Sequence, residues 1–166
     1  MTLSPVVVIA YGNSLRRDDG LAWCAGEELK KRNLPGVEIL QVHQLAPELA
    51  EKISRCDAVI FIDASAATGQ GKPGEIRVAE MGAPGFGRDS SSPFHHHYSP
   101  ASLLALAAQL YNFKARAFMA SLVGQDFGPG EHLSPAVEGS IPEFVARIEN
   151  LILELTGSHP KTSRKT

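Results

Sequence analysis

Apolar and polar positions fall into blocks that divide most of the chain into elements. Pro5-Val-Val-Val-Ile-Ala10 is a β-branched run that ends in Tyr11-Gly12-Asn13. It predicts a buried strand followed by a turn. Leu21, Cys24, Ala25 and Leu29 recur at helical spacing and predict a helix from Leu21 to Arg32. Pro35-Gly36 breaks the chain, and Val37 to Val42 reads as a second strand. Pro47 opens a short helix to Ser54, with Leu45, Leu49 and Ile53 on one face. Ala58-Val-Ile-Phe-Ile-Asp63 is nearly all apolar. Such runs fit parallel strands covered by helices on both faces.

The second half is less regular. Ala64 to Gly74 reads as a polar, glycine-rich loop, and Glu75 to Val78 as an edge strand. Met81 to His97 is the longest irregular stretch and carries three histidines. Long loops inside compact domains are often functional. Pro100 to Tyr111 predicts an alanine- and leucine-rich helix, and Arg116 to Val123 a further strand. Ser134-Pro135 opens the last helix, Ala136 to about Thr156, as a serine cap with proline in the first turn. Phe144, Val145, Ile148, Leu151 and Leu155 form its apolar face. The order β-α-β-α-β, edge strand, helix, strand, helix predicts an α/β fold. Its architecture is three-layer α/β/α: an open, mostly parallel twisted sheet, helices on both faces, one antiparallel edge strand. One domain spans residues 1–157, and 158–166 reads as a frayed tail.

Composition narrows the class of function. The chain has 166 residues, a net charge of −2 and 43% hydrophobic residues. That suits one soluble domain and gives no basic footprint for nucleic acid. No run approaches the roughly 20 apolar residues of a membrane span. Met1 to Pro5 lacks the basic start and cleavage site of a signal peptide, so a cytoplasmic protein is expected. Cys24 and Cys56 are too few for a disulfide framework and read as small buried thiols.

Open α/β sheets bind ligands beyond the carboxyl ends of their strands. The first strand runs into Gly12-Asn13-Ser14-Leu15-Arg16-Arg17-Asp18-Asp19, and the third ends at Asp63. If these strands are neighbours, the carboxylates share one rim, and His96 on the long loop can fold over them. Two carboxylates and an imidazole would hold a borderline divalent ion such as nickel or zinc and leave positions open for substrate. The same groups can manage protons for a water attacking an amide. Each residue also has a plainer role: Asp19 as a helix cap, Asp63 as a turn former, a loop histidine as a solvated group. Nucleotide motifs are weak, because Tyr11-Gly12-Asn13-Ser14-Leu15 lacks the further glycines of a dinucleotide turn and no Gly-Lys-Ser/Thr follows. Asp126-Phe127-Gly128 stands without the other parts of a kinase.

Five segments together resemble the hydrogenase maturation endopeptidases. They are Gly12-Asn13-Ser14-Leu15-Arg16-Arg17-Asp18-Asp19-Gly20, His43-Gln44-Leu45-Ala46-Pro47-Glu48-Leu49-Ala50, Ile60-Phe61-Ile62-Asp63-Ala64, His96-His97-Tyr98-Ser99-Pro100 with the helix after it, and Leu133-Ser134-Pro135-Ala136-Val137. The resemblance covers residues 5 to 155. It implies a doubly wound sheet and a protease that removes a C-terminal peptide from a nickel–iron hydrogenase large-subunit precursor after nickel insertion. It places the metal-contacting and catalytic groups at Asp19, Asp63 and His96. The nickel is then the substrate's own, and no organic cofactor is implied. A monomer working on the large subunit, without nucleic acid or membrane, is expected. His43-Gln44-Leu45-Ala46-Pro47-Glu48 looks closest to members that serve bidirectional, NAD-linked hydrogenases.

The chain departs from the family pattern in two places. Ala10 stands where the first glycine of the Gly-x-Gly-Asn turn is expected, and Asp19 stands where many members carry glutamate. Asp18 could share the shortened role. His95 and His97 flank His96, which has the family spacing to Ser99-Pro100. Two other functions fit parts of the chain. A checkpoint or chaperone would bind the loaded subunit without cutting it. A flavodoxin-like nucleotide binder would use Gly12 to Leu15 and be indifferent to Asp63.

Overall fold

In a computed structural model, residues 5–66, 71–82 and 98–157 are described. Five strands form one sheet in the order β2-β1-β3-β5-β4. They are β1 (Val6–Tyr11), β2 (Val37–Val42), β3 (Ala58–Ala66), β4 (Ile76–Glu80) and β5 (Arg116–Gly124). β1 pairs in parallel with β2 and β3, and β3 with β5. β4 closes the far edge antiparallel to β5. The expected α/β architecture with one antiparallel edge strand is therefore present.

Alternation along the strands divides the core into two. Val6, Val8 and Ala10 of β1, with Ile60 and Ile62 of β3, face α1 (Leu21–Lys30) and α4 (Pro135–Thr156). Val7, Ile9, Val59 and Phe61 face α2 (Leu49–Ile53) and α3 (Pro100–Tyr111). Successive side chains on a strand point to opposite faces, so β-branched runs without polar interruption need a helix layer on each side. α4 presents Val137, Phe144, Val145, Ile148 and Ile152 as fully buried residues. Leu151 and Leu155 flank that seam instead of forming it. Pro142 lies inside the helix and exposed, and the helix runs through it. No described helix is long and apolar enough to cross a membrane.

The structure corrects several expectations. β3 continues three residues past Asp63, paired with β5 as far as Ala66 opposite Gly124. The expected loop from Ala64 thus begins as strand, because β5 still offers ladder partners there. α1 is shorter than expected and is preceded by a 3-10 turn, Arg17–Gly20. Cys56 is buried, but Cys24 is exposed. The inward stripe of α1 is Leu21, Ala22, Ala25, Gly26 and Leu29. Ser134 occupies the N-cap position of α4 but makes no side-chain cap bond. Its hydroxyl donates to Asp18 instead, at 2.7 Å.

Candidate functional site

β1 and β3 are neighbours, as the shared rim requires. Their pairing ends at Ala10 opposite Ile62. One residue further, Tyr11 and Asp63 stand where the two strands part, and β3 goes on with β5 alone. In this strand order the chain winds outward in opposite directions from β1 and β3, so the gap between their carboxyl ends is the switch point of the sheet. Both residues are odd-numbered along their strands and therefore sit on the α2–α3 face.

The turn after β1 delivers Asp19 to the same gap. Gly12 has φ +148, a left-handed conformation that side chains resist, and a Cβ there would come within 2.2 Å of the Asp19 carbonyl oxygen. The Asp19 carboxylate accepts the Asn13 N–H at 2.7 Å. The Asn13 side chain in turn accepts the Leu15 N–H at 2.9 Å. Trp23 of α1 closes the turn from beneath, its indole N–H donating to the Gly12 carbonyl at 2.9 Å. Asp19 is thus neither the cap of α1, which starts on Gly20 without a side-chain cap, nor a free surface acid.

Burial pushes the Asp63 carboxyl up to about 7. Tyr11 pulls the other way, the charge of Asp19 pushes it further up, and the Ala64 backbone pulls it back. The Tyr11 phenol is raised well above its ordinary range by burial and then by the charge of Asp63. Asp63 therefore sits near neutrality between proton donor and proton acceptor, and Asp19 is close enough for its charge to matter.

Asp18 is separated from this pair in function. Its side chain is withdrawn from solvent and saturated by Gln125, Asp126 and Ser134. Burial raises its pKa, and the hydrogen bonds from those three residues outweigh it, holding the group below its ordinary value. Four donors from the segment between β5 and α4 engage it, whereas Asn13 engages Asp19. His95, His96 and His97 lie outside the described residues. Among the described residues no three histidine, cysteine or acidic side chains gather as a metal set. What is described is the carboxylate pair.

Comparison with known proteins follows the same fold. The chain is similar to the hydrogenase maturating endopeptidase HybD from E. coli, with 22% identity over 90% of this chain and 92% of that one and a TM-score of 0.69. It is also similar to the [NiFe] hydrogenase maturation protease HybD from Thermococcus kodakarensis, with 24% identity over 88% and 97% of the two chains and a TM-score of 0.67. A hydrogenase 2 maturation peptidase from Thaumarchaeota archaeon SCGC_AB-539-E09 aligns at 21% identity, covering 93% and 99%, with a TM-score of 0.63. The fold is that of the hydrogenase maturation endopeptidases. No family model matches the chain, and no curated protein matches it in sequence.

Within that endopeptidase fold, three contributors were missed by reading the sequence. Tyr11 reads as the start of the turn after the first strand, Trp23 is not singled out, and Asp18 reads as able to share the Asp19 role. The signal for Tyr11 is its parity with Asp63 on adjacent strands, which shows only once the register is fixed.

Proposed function

We propose that this protein is an endopeptidase that removes the C-terminal peptide of a nickel–iron hydrogenase large-subunit precursor after nickel insertion. The observation that carries the reading is the carboxylate pair Asp19 and Asp63 at the parting of β1 and β3, with Asp63 poised near pH 7. The fold shared with the maturation proteases compared above supports it. So do the five sequence segments that resemble that family.

Hydrolysis of an amide needs a group that takes a proton from the attacking water and returns one to the leaving nitrogen. A carboxyl held near 7 suits both halves of that exchange. The water oxygen bonds to the carbonyl carbon, the C–N bond breaks, and the new amine leaves with the proton. Nickel enters as part of the substrate. Asp19 and Asp63 offer it oxygen ligands, since a carboxylate has about four lone-pair sites and Asn13 engages only one oxygen of Asp19. His96 would supply a nitrogen. His96 stands three residues before Ser99, the N-cap of α3. The protein works in the cytoplasm as a monomer on the large subunit. The likeness of His43 to Glu48 to members serving bidirectional, NAD-linked hydrogenases supports a substrate of that class.

The test is incubation of the purified protein with a nickel-loaded, unprocessed large subunit, followed by mass spectrometry. Loss of a discrete C-terminal peptide is expected. Binding without any mass change would leave the protein a checkpoint and overturn the reading.

A further inference from the structure

Asp18 is the one charged side chain among the described residues that is fully withdrawn from solvent. Its oxygens accept four hydrogen bonds: from the Gln125 N–H at 2.8 Å, the Asp126 N–H at 2.9 Å, the Ser134 N–H at 2.7 Å and the Ser134 hydroxyl at 2.7 Å. No donor comes from its own loop. All four belong to the connection between β5 and α4. A buried carboxylate without a counter-ion is costly, and it persists only where donors replace the lost water.

The surroundings are built to admit this carboxylate. β5 ends on Gly124, where a Cβ would stand 2.6 Å from the Phe127 ring and 3.0 Å from the Asp18 Cβ. Ser134 turns its hydroxyl away from the first turn of α4 to reach Asp18. The main chain is tied at the same place. Asp18 N–H donates to Asp126 at 2.9 Å, Arg17 N–H to Gly130 at 2.8 Å, and Gly130 N–H to Leu15 at 2.9 Å. Arg17 is held at φ +46, a left-handed conformation unusual for a residue with a side chain. Such a conformation survives where neighbouring contacts over-determine it. The residue after Asp18, Asp19, accepts instead from the Asn13 N–H.

We propose that Asp18 is a positioning residue: its buried carboxylate clamps the loop after β1 to the β5–α4 connection and so fixes Asp19 beside Asn13. The importance of Asp19 rests on the proposed function, but the clamp itself can be measured without it. A latch of purely structural use would lower stability throughout the molecule. A positioning clamp loosens the Asn13–Asp19 contact while the sheet holds.

The experiment uses Asp18→Asn, which keeps size but turns a nitrogen toward donors, and Ser134→Ala, which removes one donor with little risk to folding. Amide hydrogen exchange by NMR compares Asn13, bound to Asp19, with Ile9 and Ile60 in the central strands. In folded Asp18→Asn, Asn13 is expected to exchange about tenfold faster or more, the scale of one charge-assisted hydrogen bond. Ile9 and Ile60 keep their protection. Ser134→Ala gives a smaller change of the same kind, and it decides the matter if Asp18→Asn does not fold. Processing of the nickel-loaded precursor is then expected to lose about tenfold in kcat while KM moves less than about threefold. Unchanged Asn13 exchange in either folded variant, or equal loosening of all three amides, overturns the clamp. Failure of the wild-type protein to process any precursor overturns the proposed function and leaves the exchange result to judge the clamp.

Discussion

Tyr11 and Asp63 face each other where β1 and β3 part, and Tyr11 lowers the pKa of the Asp63 carboxyl against the burial that raises it. Its effect favours the ionised carboxylate, against burial and the charge of Asp19, which both favour the protonated one. Tyr11 thereby holds the Asp63 pKa below where burial and the Asp19 charge alone would put it. Tyr11→Phe removes only the hydroxyl. The Asp63 carboxyl is then expected to titrate above its present value of about 7. The acid limb of the pH–rate profile for processing shifts the same way. A carboxyl-carbon NMR titration of Asp63 in the metal-free protein checks the first point, and an unmoved midpoint would remove Tyr11 from the site.

The raised pKa also makes a stability prediction for the metal-free protein. Asp63 has an ordinary pKa of 3.8 and a folded one of about 7. Below 3.8 both states hold the proton, and the contribution to stability is full. Between those values the folded state keeps a proton that the unfolded chain has released, so stability falls as pH rises. Above about 7 the loss is complete. Asp63→Asn cannot ionise and escapes this loss. Its melting temperature should therefore gain on wild type steadily from pH 4 to pH 8, while its processing falls by about 100-fold or more, the scale of a general acid–base group. A constant difference in melting temperature across that range would show that Asp63 is not desolvated as described. Asp18 works with the opposite sign. Its lowered pKa contributes stability above its ordinary value of 3.8, and this is lost as pH falls through the folded value.

The fold was legible where one physical signal dominated. The β-branched runs at Val6 to Ala10 and Ala58 to Ile62 admit only buried strands, and Ser99-Pro100 marks the start of α3, where Ser99 caps Ser102 at 3.1 Å. Boundaries failed where long-range pairing overrides local sequence. Ala64 to Ala66 look like loop but find partners in β5. Cys24 fits an apolar spacing but points outward, because Ala22, Ala25 and Gly26 give the sheet the closer approach. At the site, the carboxylates could be named from strand ends alone. The separate work of Asp18 and Asp19 could not, since it depends on donors more than 100 residues away in the chain.

The histidine register gives a third prediction. His96 stands at the family's spacing from Ser99-Pro100, and the capping box of Ser99 and Ser102 fixes where α3 begins. His96→Ala should abolish processing, whereas His95→Ala and His97→Ala should be milder. The comparison is made on the same nickel-loaded precursor by mass spectrometry. A set in which His97 alone mattered would move the register by one residue.

The last prediction concerns the metal. On the proposed reading, Asp19, Asp63 and the His96 imidazole would form only an incomplete coordination shell, and among the described residues no three histidine, cysteine or acidic side chains gather as a metal set. Nickel in such a shell is held weakly unless other ligands complete it. In the proposed reaction the cysteine thiolates of the large subunit complete it, because the ion arrives already bound there. The purified protein should therefore retain little nickel or zinc after dialysis against a chelator. Added nickel should not rescue cleavage of an empty precursor, and loaded precursor should be cut without any added metal. Charge supports the same order of events: burial first, and then repulsion by Asp19, raise the Asp63 carboxyl to about 7. An incoming cation relieves that repulsion and releases the proton, so docking of loaded substrate should give off protons near pH 7, measurable by calorimetry in buffers of different ionisation enthalpy. Stoichiometric metal in the dialysed protein, or efficient cleavage of nickel-free precursor, would show that the ion is the enzyme's own or is not needed.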